Sequence, residues 1–189
     1  MNDSSNWYDL IKFQLNIAER WLQRGNKTED VFAKFFFYFT GFNALYFLWR
    51  KINNLDETNE GKHIENLLSK FDEIKAQEML DKVSNSIVYF CKRRPIQRMN
   101  KRILKDDHYV GDEEEGRSWK NKLQKKELSA SKRIIALGHI LYLVRSNLVH
   151  GSKTESGDDF EIIKNSIEPL KLLLTEALSW TQIYRWGND

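Results

Sequence analysis

The sequence predicts an all-α fold, an up-and-down helical bundle with extra helices inserted in the middle third. Three observations carry that expectation. Apolar residues recur at steps of three and four in several long stretches, the stripe of a helix packed on partners. Only two prolines and nine glycines interrupt 189 residues rich in Leu, Lys, Glu and Asn, a composition that favours helix over sheet. That length suits one well-packed domain and is short for two, so the expected organisation is a single domain over 1–189 with a charged helical insertion at about 56–128.

The first helix is capped by Ser4 or Ser5 and runs to about Arg24, with Trp7, Leu10, Ile11, Gln14, Ala18, Trp21 and Leu22 inward; Gly25-Asn26 is expected to end it. Thr28-Glu29-Asp30 starts the second, which closes at Asn53-Asn54. Its stripe of Phe32, Phe35, Phe36, Phe39, Phe42, Tyr46 and Trp49 is joined by Phe37, Tyr38, Phe47 and Leu48 from other sides. A helix apolar nearly all round is buried on several sides, either at the centre of the bundle or also against a second subunit. Gly41 offers close helix approach, and Asn43, if buried, needs polar partners.

Helical spacing returns with Ile64, Leu67, Leu68, Phe71 and Ile74, then with Met79, Leu80, Val83, Ile87, Val88 and Phe90, until Pro95 interrupts. Lys92, Arg93, Arg94, Arg98, Lys101, Arg102 and Lys105 follow with no acid between them. Such a run is either a solvated face or a track for a phosphate backbone, with Tyr89 or Phe90 stacking on a base. Asp106-Asp107 and Gly111 to Gly116 read as an exposed acidic loop, and Lys120, Lys122, Lys125, Lys126, Lys132 and Arg133 form a second basic set. Asp158-Asp159-Phe160-Glu161 suits a capping box. Because proline is tolerated only in a first turn, Pro169 places the start of the last long helix near Ser166.

The stretch around which the chain is organised is Arg145-Ser146-Asn147-Leu148-Val149-His150-Gly151. It follows a stripe of Ile134, Leu137, Leu141, Val144 and Leu148, and Gly151 offers a left-handed cap, so the helix should stop near Leu148 or Val149. On an unbroken helix, residues five apart point roughly 140° from each other. A helix that ends before Gly151 instead lets the chain bend and bring His150 back over Arg145. A permanently charged planar donor beside a group titrating near neutrality suits a phosphodiester. The plainer reading is that both residues simply complement the helix C-terminus.

Arg145 to Gly151 resembles the Arg-x4-His signature of HEPN domains. Phe35 to Tyr46, with its central Phe42-Asn43-Ala44-Leu45-Tyr46, is similar to the aromatic helix of their ApeA-like relatives, and Ile167 to Leu174 is similar to the closing helix of that group. The resemblance implies a HEPN-type bundle and metal-independent cleavage of RNA by its own 2′-OH, leaving a 2′,3′-cyclic phosphate. It assigns Arg145 and His150 to catalysis, with Asn147 orienting His150 or the phosphate and Ser146 and Asn43 in support. It implies RNA contacts from Lys92, Arg93, Arg94, Arg98, Lys101 and Arg102, no cofactor, a homodimer, and an antitoxin or other regulatory protein as partner in a toxin or defence system. Ser146 stands where many members carry a larger polar residue, and Ser152 stands where the modified toxin subset carries tyrosine. The alternative is a non-catalytic module of the same type that binds RNA, nucleotide or a protein.

The formal charge of +3 supports no whole-molecule polyelectrolyte argument. Cys91 is the only cysteine, so no internal disulfide forms and a reducing compartment is expected. Met1 to Asn6 lacks the basic and apolar regions of a signal peptide. Val31 to Trp49 carries Lys34, Thr40, Gly41 and Asn43, so a buried helix is expected there, not a membrane span, in a soluble cytoplasmic protein. Glu60-x-x-His63 matches half of a di-iron motif, but His108, His139 and His150 lack a glutamate three residues earlier, and the metal reading fails. Gly151-Ser152 with Asp159-x-Glu161 resembles a nucleotidyltransferase signature too closely spaced to serve, and reads as loop and helix cap.

Overall fold

The computed structural model describes residues 3–55, 59–96, 98–105, 108–149 and 157–186; for 3–7, 98–105, 108–112 and 184–186 it describes the backbone alone. In these residues the chain is an all-α bundle of eight helices, joined in its middle third by one short hairpin. The helices are α1 (Asp3–Lys27), α2 (Val31–Ile52), α3 (Glu60–Leu68), α4 (Glu73–Lys82), α5 (Ser84–Lys92), α6 (Glu114–Gln124), α7 (Ala130–Val149) and α8 (Gly157–Trp186). Strands β1 (Arg98–Lys105) and β2 (His108–Asp112) pair antiparallel between α5 and α6, with a register shift between Arg98 and Arg102. The middle third was expected to hold extra helices, a basic tract and an acidic loop, but no strand. The strand lies just past Pro95, which ends α5 by denying it further helical hydrogen bonds.

Helix α2 is the central one. α1, α3 and α8 pack on it, and Phe35, Tyr38, Phe42, Leu45, Tyr46 and Leu48 are fully buried. It is long and apolar enough to cross a membrane, yet half of its apolar window lies inside the bundle, as a core helix requires. The Asp30 carboxylate accepts from the Ala33 amide and fixes its start. Gly41 does allow close approach: a Cβ there would stand 3.0 Å from Leu174 Cδ2 and 3.2 Å from the Ala18 carbonyl, tying α1 and α8 to α2.

Helix α7 is the second core element, with Ile134, Leu137, Leu141, Leu143 and Val144 buried. Stretch 56–128 is not a separate lobe. Ile64, Leu67 and Leu68 of α3 and Met79 and Leu80 of α4 belong to the same core, and both helices pack on α7. The start of α7 is capped from a distance. The Glu73 carboxylate, in the first turn of α4, accepts from the amides of Ala130 and Ser131 and from the Ser131 hydroxyl.

Four local expectations are corrected. Gly25-Asn26 does not end α1, which continues to Lys27; Gly25 is there because the Tyr38 ring fills the place of its Cβ, and the Tyr38 hydroxyl donates to Asn26 Oδ1 at 2.9 Å. Ile74 and Val88 fit the helical spacing but are exposed, since α3 ends at Leu68 and Val83 breaks the phase between α4 and α5. From Gly111 to Gly116 the acidic stretch is not a loop: β2 runs to Asp112 and α6 starts at Glu114, with Glu114 and Glu115 at the positive end of its dipole; Asp106-Asp107 lie outside the described residues. The last helix begins at Gly157, not near Ser166, and runs on through Pro169. Ile162, Ile163, Ile167 and Leu170 are buried on both sides of the proline, and that packing outweighs the missing hydrogen bond.

Candidate functional site

The C-terminal turn of α7 brings Arg145 to the rim of the bundle, beside the first turn of α3. Nη1 of Arg145 lies 3.7 Å from Glu60 Oε2, with both side chains near 30% exposed. The guanidinium carbon lies 5.4 Å from the centroid of the Phe39 ring of α2, a cation–π contact. The second Glu60 oxygen accepts a short hydrogen bond from the buried Tyr46 hydroxyl. Phe39 and Tyr46 are seven residues apart on α2 and share a face. Asn43, half-buried, stands between them at helical spacing.

This arrangement holds one proton firmly. Burial, then the Glu60 charge and hydrogen bond, push the Tyr46 phenol far above the usual tyrosine range, against the smaller pull of Arg145. Tyr46 is therefore a fixed O–H donor at any physiological pH. Arg145 is a half-solvated cation with one carboxylate at the long end of ion-pair distance, so an incoming anion competes with Glu60 for it.

Ser146 and Asn147 are buried at 3% and 2% exposure, and Asn147 is partnered. Two residues from Arg145, Asn147 points to the opposite side of α7, away from the guanidinium. α7 is helical as far as Val149, its last described residue. His150 and the loop placed after Gly151 lie outside the described residues.

The basic tract is divided among different environments. Lys92 and Arg94 are exposed at the end of α5. Arg93 Nη1 donates to the Tyr89 hydroxyl at 2.8 Å, its guanidinium lies 5.5 Å from the Tyr89 ring, and Lys120 Nζ donates to the Arg93 carbonyl at 2.5 Å. Arg98, Lys101 and Arg102 fall on β1, which lies against α7; their side chains are outside the described set. Phe90 is 2% exposed and cannot stack on a base, which removes one of the two expected aromatics.

A second polar cluster lies on the other side of Glu60. A cleft of about 450 Å³ is lined by Glu60, Lys62, Glu65, Glu115, Trp119 and His139 among others. His139 Nε2 is 2.9 Å from Glu65 Oε1, and its ring stacks on Trp119 at 3.7 Å, with Lys122 over the same indole. Burial lowers the His139 pKa, and Glu65 only partly offsets it. His139 is thus a buried histidine with a carboxylate partner. Cys91 has its thiol pKa raised by burial, the opposite of a poised nucleophile. Among the described residues no group of three His, Cys, Asp or Glu is placed to hold a metal ion.

Sequence reasoning missed Glu60 and Tyr46 as site residues. In the sequence Glu60 stands out only as half of a metal motif, and Tyr46 only as a stripe residue that closes the Phe42–Tyr46 motif. Their meeting depends on α3 packing across α2, and no local spacing encodes it. Comparison of the chain with protein-family models, curated proteins and solved structures gives no match.

Proposed function

We propose that the chain is a metal-independent endoribonuclease of the HEPN type, acting as a homodimer in a toxin or defence system under the control of a regulatory protein. The observation that carries the proposal is Arg145 itself: a partly solvated guanidinium over the Phe39 ring, five residues before His150 in the sequence.

In the proposed reaction the ribose 2′-oxygen attacks the adjacent phosphorus as His150 of one copy takes its proton. The P–O5′ bond breaks, and the departing oxygen takes a proton from the same residue of a second copy. The products are a 2′,3′-cyclic phosphate and a 5′-OH. Arg145 carries the charge that builds on the phosphorane, and two copies about a two-fold axis supply both proton carriers. RNA incubated with the protein in excess EDTA tests this. Cyclic-phosphate ends should form, and should fall by about 100- to 10,000-fold in His150→Ala.

Glu60 favours a second reading, a non-catalytic module that binds RNA, nucleotide or a protein partner. A carboxylate on the guanidinium weakens its pull on phosphate in the free protein. Intact RNA, bound with a steep salt slope, is the outcome that supports this reading.

A further inference from the structure

We propose that the adjoining faces of α1 and α2 around Trp21 form a docking surface for single-stranded RNA that leads to Arg145; this rests on reading Arg145 as a phosphate-binding residue. Arg20, Arg24 and Lys27 follow one another at helical steps on α1, all exposed. With Trp21 and Ile17 they line a groove of about 560 Å³. From Phe13 to Lys27 the sequence contains one acid, Glu19, and it is turned to the other flank, where Gln182 of α8 donates to it at 2.7 Å. The next acids are Glu29 and Asp30, and Asp30 is engaged in capping α2. The three cations thus face solvent with no acid on their own stretch of helix.

Aromatic rings stand among these cations. Trp21 lies on Phe37 with ring centroids 5.3 Å apart and meets Phe36 edge-on at 6.4 Å, while the Arg24 guanidinium lies 4.9 Å from its ring centroid. Phe36 is 48% exposed and Phe13 60%. Exposed rings beside cations are the requirement for binding a strand without reading its sequence: the rings stack on bases and the cations follow the backbone.

The open face of α2 connects this cluster to the site. Phe36, Thr40, Asn43 and Phe47 are spaced by four, three and four residues, and none is fully buried. They border the Phe39–Tyr46 stripe that touches Arg145 and Glu60. From Phe36 to Asn43 is about 10 Å along the helix, a short reach for a strand stacked on Phe36. Thr40 and Asn43 make this path polar, which suits a nucleotide backbone better than a lipid surface. A second copy docked here would bring three cations close to their own equivalents, which charge repulsion opposes.

The test uses the full chain and a fluorescein-labelled 2′-O-methyl oligouridylate of about 12 nucleotides, long enough to span the groove and the site; it cannot be cleaved by its own 2′-oxygen. Binding by anisotropy should weaken by at least about 10-fold in Arg20→Glu/Arg24→Glu, with the slope of log affinity on log salt shallower by about 1.4 for two lost phosphate contacts. Phe36→Ala, at an exposed position that leaves the fold intact by circular dichroism, should weaken it by about 5-fold or more with the slope unchanged. Unchanged affinity in these variants overturns the proposal. So does a wild-type protein that ignores the oligonucleotide but binds vesicles containing phosphatidylserine, or one that self-associates through Phe36 without binding RNA. The two readings separate cleanly. If the oligonucleotide binds as described but natural RNA is never cut, the docking surface stands and the nuclease falls. If RNA is cut with a KM indifferent to Arg20, Arg24 and Phe36, the nuclease stands and the docking surface falls.

Discussion

Glu60 and Arg145 are 85 residues apart in the chain and stand 3.7 Å apart in the fold, with the Tyr46 hydroxyl on the far oxygen of the same carboxylate. Glu60 is thus both the counter-ion of the candidate catalytic cation and the acceptor that fixes a buried phenol. A phosphate reaching Arg145 must displace or share that carboxylate. Glu60→Gln keeps an acceptor for Tyr46 and removes the charge. A half-exposed ion pair is worth up to about 1 kcal/mol, so calorimetry should show phosphate or RNA bound up to about fivefold more tightly in this variant. Arg145→Ala should lose the effect.

Tyr46 makes the same cluster sensitive to alkali. Its folded pKa is raised above the unfolded value of 10.0, so its contribution to stability is complete below pH 10 and declines as pH rises beyond it, where the unfolded chain ionises and the folded one does not. Urea denaturation between pH 8 and 11 should show stability falling above pH 10, and Tyr46→Phe should flatten part of that fall. A wild-type profile identical to that of the variant would rule out this role.

His139 acts at the opposite end of the scale. Its folded pKa lies below the ordinary 6.5, burial outweighing Glu65. The unfolded chain therefore takes up the proton first, and stability is lost as pH falls below about 6.5 towards the folded pKa. Imidazole resonances followed by NMR should show His139 still neutral where an exposed histidine is half-charged. Glu65→Gln should lower its pKa further, because the carboxylate is the partner that favours the charged ring.

Two glycines test how rigid the walls around α6 and α7 are. A Cβ on Gly116 would stand 2.0 Å from the Ile96 carbonyl oxygen, whereas one on Gly138 would meet Leu68 Cδ1 at 2.5 Å. Backbone cannot rotate away, but the end of a leucine can. Gly116→Ala should destabilise by about 1–3 kcal/mol, measured by denaturant titration, and Gly138→Ala by less. The reverse order would mean that the segment before β1 yields more readily than the α3–α7 contact.

Pro169 lies within α8, where it cannot donate to the carbonyl one turn back. Ser166 Oγ and Asn165 Nδ2, just before it, donate to the carbonyls of Ile162 and Glu161 at 2.7 and 2.8 Å. A proline inside a helix costs about 3 kcal/mol, part of which is recovered by its restriction of the unfolded chain. Pro169→Ala should therefore stabilise the protein by about 1–2 kcal/mol in a denaturant titration. A loss of stability would show that the ring packs irreplaceably between the buried residues around it.

The sequence by itself determined the helical class, the start and end of α2, the interruption before β1 and the burial of the aromatic helix. Each follows from rules that act within a few residues: cap chemistry, the missing amide of proline, and apolar spacing that recurs with the helix turn. Tertiary structure alone decided that Gly25 is a place for the Tyr38 ring and no helix end, that α8 passes through Pro169, and that Glu60 and Tyr46 surround Arg145. Those outcomes depend on which faces of distant helices meet, and neighbouring residues do not encode that. A carboxylate in the first turn of α3 looks the same in sequence whether it faces water or a guanidinium; only packing brings the charge within reach and makes it part of a site.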